Sequence, residues 1–313
     1  MDICDEVVTK DSRKPGLISA TLLNGMKEIS IHANSLFSNA MGTEGTPYKL
    51  RPVNNSASFA VLSTGKAIDA AHFTDQTINS KEREVATSGQ GTIPKLYSQS
   101  DPNFRLQSNA LCGTADKIFD VAALTTEMRV PSNAKGFRVK FRFFTSEYSE
   151  YVCKPFNDFF VILLESTHED TPKDHNIAFD LNHNPISVNN AFFTSCVPLD
   201  CDKNQCPAIM TCDANTEGHK VCKPKNAKGE LIDPCSDGDE GRLAASTFNT
   251  YTVGRGATSW LETSASVVGG EVIKLHFYIW DTGDSSHDSL VILDDFQWVY
   301  EDVELGTLPV VIN

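Results

Sequence analysis

An all-β fold, an antiparallel β-sandwich of jelly-roll type, is predicted by three features of the sequence. Apolar and polar residues alternate with a period of two over several stretches. Only one short stretch tempts a helical reading. Gly, Pro, Asn and Asp punctuate the chain between the apolar segments.

Along the chain, residues 17–23, 58–63 and 122–130 are the first strand candidates, and "HANSLFSNAM" (32–41) is the weak helical candidate. Residues 64–110 are rich in Ser, Thr and Gln and read as long surface loops. In "GFRVKFRFF", Phe137, Val139, Phe141 and Phe143 alternate with Arg138, Lys140 and Arg142, as in a strand with one buried face. "FFVILL" (159–164) is apolar throughout, which predicts a central strand covered on both sides. A short strand is expected at 251–253. In "VIKLHFYIW" (272–280) Ile273, Leu275, Phe277 and Ile279 share a face, and "FQWVY" places Phe296, Trp298 and Tyr300 on one face. Strands 137–143, 159–164, 272–280 and 289–300 are expected to supply the core.

A chain of 313 residues can bury a sizeable core, and we expect one sandwich domain over 1–313 with 197–240 as an insertion within it. The 40% hydrophobic and 22% charged content is that of a globular protein. With 27 Lys and Arg against 41 Asp and Glu, the net charge is −14, which argues against nucleic acid or an anionic membrane as partner and suits cations. No apolar run approaches the ~20 residues of a membrane span.

Six of the nine cysteines (Cys196, Cys201, Cys206, Cys212, Cys222 and Cys235) fall within forty residues that are poor in large apolar side chains. Such a segment needs disulfides or a structural metal. The absence of a tight CxxC or HxxxH pair favours disulfides over zinc, and with them an oxidising, extracellular compartment. We expect Cys153 to pair with Cys196, Cys201 with Cys212, Cys206 with Cys222 and Cys4 with Cys112, leaving Cys235 unpaired.

The acids are the chemical signal. "DTGDSSHDSLVILDDF" (281–296) holds five aspartates and no Lys or Arg, between two strands. Glu147 and Glu150 follow one strand, and Asn157 and Asp158 precede the next. Hard oxygen ligands on loops at one end of a sandwich suit Ca²⁺, which takes six to eight oxygens. A solvated acidic turn is the alternative. The spacing is not that of an EF-hand, since Ser285 and Ser286 stand where Asp or Asn is needed and no Glu closes the loop. The ligand set expected for one Ca²⁺ is Asp281, Asp284 and Asp288 with Asp158, Asn157 and Glu147. Asp294 and Asp295, on opposite faces of a strand, cannot both belong to it, and the other is expected at the surface.

"FTSEYSEYVCKPFNDFFVILLES" (144–166), then "NIAFDLNHNPISVNN" (176–190), then "WDTGDSSHDSLVILDDFQW" (280–298) resembles the bacterial choice-of-anchor L domain, in motif content and order. The resemblance spans about residues 120–300, and "PSNAKGF" (131–137) is similar to longer secreted members. It implies a secreted or surface-displayed β-sandwich, held to the cell by varied anchoring segments, with no established catalytic activity. This chain departs from the family's S-E-E-Y with "SEYSEY", which leaves the roles of Glu147 and Glu150 open. The cysteine-dense insertion carries nothing over from the family.

No GxSxG elbow, HExxH helix, P-loop or GxGxxG loop occurs. His276 and His287 can ligate metal, though single exposed histidines are commonly just solvated. Trp260, Trp280 and Trp298 can form a stacking platform for sugars. Trp298 has core spacing, whereas Trp280 falls on the polar side of its strand and is the better stacking candidate. Arg138, Lys140 and Arg142 read as the wet face of a strand or as partners of an acidic neighbouring strand. Two readings stand. One is a non-enzymatic, calcium-stabilised extracellular module for adhesion, matrix or surface-filament assembly, with itself, other surface proteins or extracellular polysaccharide as partner. The other is a secreted lectin or glycoside hydrolase.

Overall fold

The alternating segments pair into antiparallel sheets in the computed structural model, which describes residues 16–23, 29–33, 58–64, 94–98, 112, 117–189, 192–226, 228–236, 255–284 and 287–310. The strands are β1 (Gly16–Leu23), β2 (Ile29–Ala33), β3 (Ser58–Ser63), β4 (Ile118–Arg129), β5 (Gly136–Thr145), β6 (Phe159–Glu165), β7 (Ile186–Ser187) and β8 (Phe193–Cys196). They continue as β9 (Met210–Ala214), β10 (Lys220–Pro224), β11 (Gly256–Thr258), β12 (Leu261–Ser266), β13 (Val272–Thr282), β14 (Ser289–Val299) and β15 (Gly306–Pro309).

One sheet has the order β1-β4-β13-β6-β7, the other β15-β12-β5-β14-β3-β2, with β11 bridging β5 and β8. Consecutive long strands alternate between the sheets: β3, β4, β5 and β6 do so in turn, and so do β12, β13 and β14. Hydrogen-bonded neighbours are therefore remote in sequence, as in β4 with β13 and β5 with β14. Such non-local pairing predicts slow folding relative to a helical protein of this size.

The core lies between the sheets. Phe137, Val139, Phe141 and Phe143 of β5 are fully buried, and so are Ile273, Leu275, Phe277 and Ile279 of β13. The rings of Phe141 and Phe160 meet across the interface at 4.9 Å. Each such side chain contributes roughly 1.5–3 kcal/mol of hydrophobic stabilisation relative to exposure. Strand β6 is covered on both faces, as its unbroken apolar run predicts. Phe160, Ile162 and Leu164 enter the main core, while Phe159, Val161 and Leu163 pack into a second cluster with Trp280, Tyr97, Ile118 and Val121.

That second cluster corrects two expectations. Trp280 is fully buried, stacked on Phe159 at 5.5 Å, and so offers no surface to a sugar. The segment 64–110 is not all surface loop, because a helical turn at Lys95–Ser98 places Tyr97 against Trp280. The helical reading of 32–41 is also corrected where it can be seen, since His32 and Ala33 end β2; the rest of that stretch, and the strand expected at 251–253, lie outside the described residues.

The basic row on β5 is not simply a wet face. Arg138 faces Glu262 and Glu301, Lys140 faces Glu262 and Asp295, and Arg142 is buried beside the Phe144 ring. Asp294 and Asp295 are both buried, against the expectation that one is a surface residue. A register shift between Asp294 and Gln297, with Asp295 at φ +48°, breaks the alternation on which that expectation rested. Of Phe296, Trp298 and Tyr300, the first two pack on Phe137, while Tyr300 is exposed.

The cysteine-rich insertion is a β9–β10 hairpin laced by Cys201–Cys212 and Cys206–Cys222. The other two bridges differ from the expected ones. Cys153 joins Cys112 rather than Cys196, and Cys196 joins Cys235, which is therefore not the unpaired cysteine. The reason is local. The Cys235 N–H bonds to Phe193 O at the start of β8, which brings that residue alongside the strand ending at Cys196. Cys4, the remaining cysteine, lies outside the described residues.

Candidate functional site

Two crossovers between the sheets run side by side at one end of the sandwich. The first leaves β5 at Thr145 and enters β6 at Phe159; the second leaves β13 at Thr282 and enters β14 at Ser289. The register explains their adjacency, because Trp280 pairs with Phe159 in one sheet and Ser289 with Thr145 in the other.

At this end the inward series of each strand changes from apolar to polar without losing its period. Phe143 is followed two residues on by Thr145, and Ile279 by Asp281. Phe160 is preceded by Asp158, and Val291 by Ser289. All four polar residues are almost fully buried. The crossovers add Glu147, Asn157 and Asp288, also buried, with exposures of 1%, 5% and 1%.

The loops are held by specific hydrogen bonds. Ser289 Oγ donates to Asp158 Oδ2 at 2.5 Å, and the Ser289 N–H donates to Thr64 Oγ1 at 2.9 Å. Ser146 donates to Asp288 O from both its N–H and its hydroxyl. Asn189 Oδ1 accepts the Cys153 N–H at 2.7 Å, which pins the first crossover. Gly283, at φ +96°, lies where a Cβ would come within 2.8 Å of Pro155 O and 3.0 Å of the Phe156 ring. Only glycine lets the second crossover lie this close to the first. Tyr151 sits over the site's outer side, its ring 5.2 Å from His287 and 5.9 Å from Phe156.

The electrostatics are unfavourable for a cluster of anions. Burial, the charge of Asp158 and that of Asp284 push Glu147 well above the usual carboxylate range, against a lowering by the Asp158 N–H. Burial, then Asp158 and Asp288, do the same to Asp281. Asp158 is pushed up to about 7 by burial, despite hydrogen bonds from Ser289 and the Thr282 N–H and the nearness of the Asp281 carboxyl. Several acceptors are also unsatisfied. Oε2 of Glu147 and Oδ1 of Asn157 are buried without a hydrogen-bond partner. Neither oxygen of Asp281 meets a donor in bonding geometry, although Thr64 and Asp158 lie beside it. Leaving such groups unpaired costs about 1–3 kcal/mol each.

Of the residues expected to share an ion, Glu147, Asn157, Asp158, Asp281 and Asp288 line this buried end. Asp284 is half-buried, close enough for its charge to raise Glu147 and Asp158. Between the two glutamates of "SEYSEY", Glu147 points inward, while Glu150 lines a separate cleft of about 390 Å³ against the insertion. His276 is elsewhere, bridging Thr125 and Glu165 on the opposite face of its sheet from the core. The supporting roles of Ser289, Thr64 and Asn189 were not anticipated. The signal available for Ser289 was its period-two spacing from Val291 and Leu293.

The acids do not close on a point. Among the described residues, no three of them bring one oxygen each within 4.8 Å of one another. The one Cys, His, Asp or Glu group that meets this distance is Cys201, Cys206 and Cys222, whose sulfurs are tied up in disulfides.

No curated protein and no solved structure is a significant match to the chain. The model of the Choice-of-anchor L domain family matches residues 54–296, a span that contains both crossovers and every acid of the buried cluster; the chain belongs to that family.

Proposed function

We propose that the protein is a non-enzymatic module of the extracellular space or cell surface whose acidic end binds Ca²⁺, and that it serves adhesion, matrix or surface-filament assembly. The family suggests a surface-associated β-sandwich module, and four disulfides among the described residues suit an oxidising compartment. The observation that carries the calcium reading is the set of buried, unsatisfied oxygens on Glu147, Asn157 and Asp281 beside Asp158 and Asp288. The donors are all hard oxygens, which fits Ca²⁺ and not a thiolate-seeking metal. A divalent cation supplies the positive charge that reverses the mutual repulsion of these carboxylates. The site's present breadth means that binding draws the carboxylates inward.

The alternative of a lectin or hydrolase gains nothing from Trp280, which is internal, nor from Asp158 and Asp281, each 1% exposed and closed to a glycosidic bond. Equilibrium dialysis against radiolabelled calcium tests the proposal. The native chain should retain one ion, and Asp158→Asn and Asp281→Asn should retain none. A native chain that retains no calcium refutes the metal reading.

A further inference from the structure

Outside the acidic end, a charged constellation among the described residues joins the central strands of the larger sheet. Lys140 of β5 lies 2.7 Å from Asp295 Oδ2 and 3.9 Å from Glu262 Oε2. Its side chain is 14% exposed and that of Asp295 only 1%. The other carboxylate oxygen of Asp295 accepts a hydrogen bond from Gln297 Nε2 at 2.7 Å. Asp294, which accepts the Asp295 N–H at 2.8 Å, stands opposite Lys140 in the strand register.

An ion pair so deeply buried is a weak source of stability, because the lost hydration of both charges offsets their attraction. The geometry instead resembles a reaction centre. A primary amine contacts one oxygen of a carboxyl group, an amide N–H donor holds the other, and a second carboxylate stands near the amine. We propose that Lys140 and Asp295 condense into an intramolecular isopeptide bond that cross-links β5 to β14.

The step balances without any co-reactant. The Lys140 ammonium first gives one proton to Asp295 Oδ2, 2.7 Å away; the freed amine then forms a bond from Nζ to Cγ, the Cγ–Oδ2 bond breaks, and Oδ2 leaves as water with that proton and a second one from nitrogen. The third proton remains as the amide N–H. Gln297 stays on Oδ1, where negative charge develops in the tetrahedral intermediate and which becomes the amide carbonyl. Glu262 is the group placed to pass a proton from nitrogen to the departing oxygen. Fixing amine and carboxyl in contact gives the condensation the high effective molarity that free groups in water lack. Two buried charges are removed in the process, which a low-dielectric surrounding favours. The bond would close a covalent loop between residues 155 apart in sequence, around both crossovers and the insertion. A module exposed to pulling forces at a surface gains from such a link, because the two strands can no longer separate.

Peptide mapping of the reduced, denatured native chain by mass spectrometry tests this. The expected product is a branched peptide containing both Lys140 and Asp295, lighter than its parts by one water and uncut by trypsin at Lys140. Lys140→Arg keeps the ion pair, cannot form the amide, and should release the two peptides separately at full mass. Native protein that releases them separately overturns the proposal.

Discussion

The hydroxyl of Ser289 donates to the carboxylate of Asp158 across 2.5 Å, joining the first residue of β14 to the residue just before β6. These strands belong to different sheets, so the bond closes the sandwich at the end where both crossovers pass. It also supplies one of the few donors that an otherwise donor-poor cluster of buried acids possesses.

Ser289→Ala should therefore cost about 1–2 kcal/mol in urea unfolding, the scale of a lost bond to a charged acceptor. Ser19→Ala is the control. Its hydroxyl contacts Glu127 at 3.4 Å on the exposed edge strand, and its loss should stay within about 0.5 kcal/mol.

Trp280→Ala should cost about 3–5 kcal/mol, because the indole is enclosed between Phe159 and Tyr97 and its removal leaves a cavity. Trp298→Ala, at a half-buried position, should cost clearly less. Thermal midpoints of the two variants check the order, and equal losses would argue against the second cluster.

Glu271 predicts a pH dependence. Partial burial raises its carboxyl, but hydrogen bonds from Ser166, Thr167 and the Val268 N–H outweigh this and hold it below the ordinary value. A lowered folded-state value means stability that is present above the ordinary carboxylate range and lost as pH falls through the lowered one. Glu271→Gln should thus destabilise the chain by about 0.5–1 kcal/mol above roughly pH 5, after discounting for solvent exposure, and by less near pH 3. Unfolding free energies of both chains across that range provide the check.

Much of the fold was legible because burial imposes a period of two on strands. The inward faces of β5 and β13 and the two-sided cover of β6 follow from Phe137 to Phe143, Ile273 to Ile279 and the run 159–164 alone. The same rule, carried two residues further, marks Asp281 and Asp158 as inward-facing, so the acidic end was partly readable as well. Trp280 was misplaced because its strand looked half-wet, and nothing nearby in sequence revealed that Tyr97 would cover it. Asp294 and Asp295 were misplaced because a bulge cancels alternation. The pairing of Cys112 with Cys153 and of Cys196 with Cys235 depends on contacts between remote segments, which cysteine spacing does not encode.

Thermal melts in EDTA and in millimolar calcium test most directly the proposal that the buried acids hold a cation. Calcium should raise the native midpoint, by a stabilisation of roughly 3 kcal/mol if free ion reaches about a hundred times its dissociation constant. Asp281→Asn removes one buried like charge, so in EDTA it should melt above the native chain, and calcium should leave it unmoved. A native chain with the same midpoint in EDTA and in calcium would contradict the account.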